Sequence, residues 1–179
     1  MFIPRLRHGA AAAMAAALFT PAAFSHITLE TQEASVESRY KAVLRVPHGC
    51  KGSPTIKVRV RIPEGVVDVK PQPKAGWSLE TIKGDYAQPH SLYSAQVSSG
   101  VKEIVWSGGR LLDEHYDEFV FVGYLSSGLT ANTKLYFPVV QECDQGTTRW
   151  IDLPSAGQKK SVDDHSDSPA PGLKLLPKR

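Results

Sequence analysis

The sequence predicts an all-β protein folded as a β-sandwich. Short β-branched and aromatic runs recur from Ser38 onward, Pro- and Gly-bearing segments separate them, and no 3.6-residue apolar period is sustained over a dozen residues. About eight such runs are present, enough for two packed sheets.

The first run, residues 40–46 (YKAVLRV), is rich in strand-favouring side chains. Residues 57–62 (KVRVRI) alternate basic with apolar, so this strand has one wet face and one buried face. Pro63-Glu64-Gly65 ends it, and Lys74-Ala75-Gly76 precedes a run at 77–82. Runs at 92–97 and 101–106 are read as separate strands, because Ser98-Ser99-Gly100 and Ser107-Gly108-Gly109 have turn composition. The charged stretch 113–117 (DEHYD) reads as a surface loop, followed by runs at 118–125, 134–140 and 148–153. Beyond these the composition turns to Ser, Asp, Lys, Gly and Pro, so residues 26–157 are expected to form the domain and 158–179 a disordered tail.

Residues 1–25 have the layout of a secretory signal peptide: Arg5 and Arg7, an apolar run at 9–19, then Ala23 and Ser25 as small residues around a cleavage point. The apolar run falls short of the roughly 20 residues that span a bilayer, so no membrane span is expected. The chain is therefore expected in the periplasm or outside the cell. Cleavage after Ser25 makes His26 the first residue, with a cut after Ala23 as the alternative. Removing the two leader arginines from the formal charge of +3 leaves +1, which gives no reason to expect nucleic acid as a partner.

Cys50 and Cys143 are the two cysteines, and an oxidising compartment favours joining them. A loop enclosing most of the domain would contribute on the order of 4–5 kcal/mol in the chain-entropy model. The competing reading is a thiolate metal site of Cys50, Cys143 and His48. A histidine at a free N-terminus has its own chemistry: the α-amine and ring Nδ1 close a six-membered chelate, and two coplanar nitrogens suit Cu(II).

Several blocks together, HITLE (26–30), LRVPHGC (44–50), RIPEGV (61–66), KPQPKAGW (70–77), EIVWSGG (103–109), YDEFVF (116–121), LYFPVVQEC (135–143) and RWIDLP (149–154), resemble the YcnI-like family of exported bacterial copper-binding proteins. The resemblance implies an immunoglobulin- or cupredoxin-like sandwich that holds Cu(II) through a single-histidine brace. It implies His26 as the brace, a carboxylate from Glu30 or Glu33, and Trp150 beside the metal. Copper chaperones or copper importers of the periplasm are the partners it suggests.

Other histidines have plainer readings. His48, between a proline and a glycine, suits a structural hydrogen bond better than a second ligand; His90 and His115 sit in polar loop contexts; His165 lies in a solvated acidic run. Trp77 and Trp106 read as packing residues. No G-x-S-x-G, H-E-x-x-H or phosphate-cradling glycine loop occurs, so the chain is not read as an enzyme. Copper uptake, trafficking or homeostasis is the expected role. A metal-free structural or adhesion-type sandwich is the alternative, and an oxidative copper enzyme is a more distant one.

Overall fold

A computed structural model describes residues 26–153 and 168–179; the leader and the segment from Pro154 to Asp167 lie outside it. The described residues contain twelve strands and no helix. In chain order these are β1 (Thr28–Leu29), β2 (Glu33–Ser35), β3 (Ser38–Val46), β4 (Thr55–Arg61), β5 (Val66–Pro71) and β6 (Ser78–Leu92). There follow β7 (Ala95–Leu111), β8 (Asp117–Leu125), β9 (Lys134–Tyr136), β10 (Val139–Cys143), β11 (Thr147–Trp150) and β12 (Gly172–Leu176). One sheet has the order β1-β3-β8-β5, a second β11-β10-β4-β7-β6, and a third, three-stranded sheet β2-β12-β9.

Alternation builds the core between the two larger sheets. Ala42 faces Phe121 and Leu44 faces Phe119 across β3 and β8, while Val58 faces Trp106 and Val60 faces Ile104 across β4 and β7. All eight side chains are buried, as the period-2 rule requires for positions that share a face. The basic residues of β4 occupy the other face, where Lys57 lies 3.0 Å from Glu142 and Arg59 lies 3.5 Å from Glu103. These half-exposed pairs keep the outer surface wet and contribute little stability.

β6 and β7 form one long hairpin, closed at Tyr93-Ser94 with Tyr93 at φ 54°. The pairing slips between Asp85 and His90, and beyond this irregularity the hairpin folds over the outer face of the four-stranded sheet. There Tyr86, Leu92 and Val97 cover Val67 and Tyr124 in a second small apolar cluster. Ser98-Ser99-Gly100, expected to be a turn, is therefore inside a strand: Gly100 pairs with Gly84, and the Tyr86 ring occupies the space a Cβ at residue 100 would need. Ser107-Gly108-Gly109 is likewise a distortion within β7. Gly108 takes φ +78°, and a Cβ at Gly109 would stand 2.1 Å from the Trp77 indole.

The bend is clamped by Glu64. One carboxylate oxygen accepts the Ala87 N–H at 3.0 Å and meets His90 Nε2 at 2.7 Å; the other accepts Lys102 Nζ at 2.8 Å. Burial would push the Glu64 pKa up, but the hydrogen bonds from Lys102, His90 and Ala87 outweigh it and hold the pKa at about 2, well below the ordinary carboxyl value of about 4.5. A carboxyl depressed on folding stabilises above its unfolded pKa and loses that contribution as pH falls through its folded value. Glu64→Gln is accordingly expected to lower the melting temperature at pH 7, with the deficit shrinking as pH falls from about 4.5 towards about 2. Thermal scans across that range check it, and a deficit independent of pH would contradict the clamp.

The expected tail needs correction at its end. Residues 158–167 lie outside the described residues, but 172–176 form β12, which pairs parallel with β2 and antiparallel with β9. Leu173 and Leu175 are fully buried in the main core, so the domain extends past 157. A five-residue strand after a polar stretch has too short a pattern to be read as core. The run at 134–140 also divides, into β9 and β10, at Phe137-Pro138.

Candidate functional site

His26 stands where the first strand begins. Ile27 and Leu29 are anchored in the core, and β1 forms the edge of its sheet against β3, with Thr28 opposite Arg45. β11 is an edge of the five-stranded sheet, with Trp150 opposite Val139. The two edges lie on the same side of the sandwich. The exposed His26 therefore places its ring 5.5 Å, centroid to centroid, from the Trp150 indole, at an interplanar angle of 66°. Such edge-to-face geometry sets the positive rim of one ring against the π face of the other.

Trp150 is held from behind. Its indole N–H donates to Gln141 Oε1 at 3.0 Å, and Gln141 Nε2 donates to the His48 carbonyl and to Thr55 Oγ1, each at 2.7 Å. Gln141 is fully buried. Its three bonds satisfy the amide, which a buried amide needs if its desolvation is not to cost stability.

The disulfide is the floor of this cluster. Cys50 and Cys143 are joined, with Cα atoms 6.0 Å apart; Cys50 Sγ lies 3.9 Å from the Gln141 carbonyl and Cys143 Sγ 3.8 Å from Thr55 Oγ1. This overturns the thiolate reading, since neither sulfur is free to ligate. Local chain chemistry places Cys50: Lys51 and Gly52 take positive φ in a tight reversal, and the Cys50 and Ser53 backbones bond each other. Gly49 donates to Asp113 Oδ1 at 3.0 Å, and a Cβ there would lie 2.0 Å from the Ser53 carbonyl oxygen.

The two carboxylates named for the site are engaged elsewhere. Glu30 is exposed, 3.0 Å from Arg45, which also lies 3.6 Å from Glu118. Glu33 opens β2 and pairs at 2.8 Å with Lys174, its register partner on β12. Among the described residues no three His, Cys, Asp or Glu side chains gather as a ready metal cluster. What is in place is a ring nitrogen donor at the exposed end of β1, backed by an indole; cleavage before His26 would add the amine.

The remaining histidines sit apart from this arrangement. His90 is buried against Glu64, His115 is exposed 3.8 Å from Glu114, and His48 turns Nδ1 to the Gly49 oxygen at 2.5 Å. His165 lies outside the described residues. Trp77 and Trp106 pack edge-on against Phe119 at 5.0 and 5.5 Å. Gln141 escaped the sequence reading, although a signal existed. In VVQEC it is the polar residue on the inward face that Val139 and Cys143 share.

No functionally curated protein matches the chain. A solved structure titled as an uncharacterized protein from Nocardia farcinica with an immunoglobulin-like fold is similar to it at 20% identity, with a TM-score of 0.58, covering 84% of this chain and 98% of that one. At that identity the likeness establishes the fold. A family model described as a domain of unknown function (DUF1775) matches residues 26–175, and the chain therefore belongs to this family, the YcnI-like family.

Proposed function

We propose that the chain is an exported copper-binding protein that holds Cu(II) at His26 through a single-histidine brace and acts in copper uptake, trafficking or homeostasis in the cell envelope. The observation that carries this reading is the placement of His26: exposed, at the start of the matched domain, and set against a buried tryptophan. The amine and Nδ1 would supply two nitrogens in one plane, the geometry Cu(II) prefers. An oxygen donor would come from Glu30 or Glu33 exchanging its exposed ion pair, at little cost in stability. Trp150 would cover one side of the bound ion and limit water access.

The protein is read as holding its ion for exchange with a copper chaperone or importer, and as performing no chemistry on it. The engagement of both carboxylates by cations favours the competing reading, a metal-free structural sandwich. Calorimetric titration with Cu(II) separates the two. The chain beginning at His26 should bind one equivalent, and placing a glycine before His26 should weaken binding by on the order of a hundredfold or more, about 2.7 kcal/mol, because an amide nitrogen replaces the amine. Equal affinity in both forms would eliminate the brace, and absence of saturable binding in both would favour the metal-free reading.

A further inference from the structure

We propose that Gln141 is a positioning residue that presents Trp150 to His26 and ties their contact to the disulfide. The proposal rests on the reading of His26 as the ligand, but its physical content is testable without metal. Trp150 sits on an edge strand, where one face of the indole could otherwise swing towards solvent. A single acceptor, Gln141 Oε1, takes its N–H, and the same amide is fixed by two donations, to a loop carbonyl at His48 and to Thr55 on β4. The Gln141 backbone oxygen lies against Cys50 Sγ at 3.9 Å. One buried amide, on the strand that carries Cys143, thus joins the indole, the loop that carries Cys50, and Thr55 of β4. An apolar side chain at 141 would strand the indole N–H in a dry interior, and the indole would turn to recover a partner.

The test is proton NMR on the apo chain beginning at His26. The wild type should show cross-relaxation between the His26 ring protons and the Trp150 indole, together with slow exchange of the indole N–H. Gln141→Met should speed that exchange about tenfold or more and abolish the cross-peaks, while dispersion elsewhere stays native. Thr55→Val removes a different bond of the same amide; it should destabilise the fold and leave the cross-peaks intact, a split that a merely structural role for Gln141 would not produce. Cross-peaks persisting in folded Gln141→Met would overturn the proposal. Should that variant fail to fold, wild-type exchange decides: a Trp150 N–H exchanging at the rate of a free indole overturns it, and protection supports it. Failure of Cu(II) to bind would defeat the copper reading alone, because none of these signals requires metal.

Discussion

Replacing both Cys50 and Cys143 with alanine is expected to lower the free energy of unfolding by about 2–5 kcal/mol, the range for native bridges in secreted domains. The two half-cystines are 93 positions apart, so the bridge removes a large share of the unfolded chain's freedom. It also ties the loop between β3 and β4, where Cys50 lies, to the end of β10, where Cys143 lies. Urea denaturation followed by circular dichroism measures the loss, and reduction of the wild type should reproduce most of it. A change under about 1 kcal/mol would mean that the β3–β4 loop is held against β10 without the bridge.

The second large effect concerns the C-terminal strand. Leu173 and Leu175 are buried as completely as any residue in the core, and truncating a buried leucine to alanine costs about 2–5 kcal/mol. The pair would then remove about 4–10 kcal/mol from a domain whose total stability is of order 5–15 kcal/mol. Leu173→Ala/Leu175→Ala should melt far below the wild type, and a chain ending at Pro169 should lose its cooperative transition altogether. Differential scanning calorimetry reads both. An unchanged melting temperature would show the segment to be dispensable, as its polar surroundings in the sequence suggested.

Much of the sandwich was legible because alternation is a local property. KVRVRI sorted the faces of β4 correctly, and YKAVLRV and the run at 118–125 marked the strands that pair as β3 and β8. The cysteine pairing was legible from compartment and count. The two misread turns share a physical cause: glycine has two uses that look alike in sequence. Gly100 and Gly109 are required by neighbouring rings, Tyr86 and Trp77, which approach the backbone from distant positions. β5 was missed because Asp68, at φ 48°, interrupts its alternation with a register shift.

For the site, the resemblance named His26 and Trp150, and the structure brings their rings together. The resemblance left the carboxylate open between Glu30 and Glu33, and the structure pairs the first with Arg45 and the second with Lys174. The role of Gln141 depends on what lies behind an indole nine positions later, across a turn between two strands. Such a relation is tertiary and leaves only a faint mark in the pattern.

The parallel pairing of β12 with β2 also sets a clock. Lys174 meets Glu33 141 positions after that residue was made, an interval of roughly 7–28 s at about 5–20 residues per second. Until then β2 lacks its partner strand, and Leu173 and Leu175 are missing from the core. Local pairing cannot shorten the wait, since contacts this distant in sequence form late and slowly. A nascent chain of this design cannot complete its core until its last strand has been made.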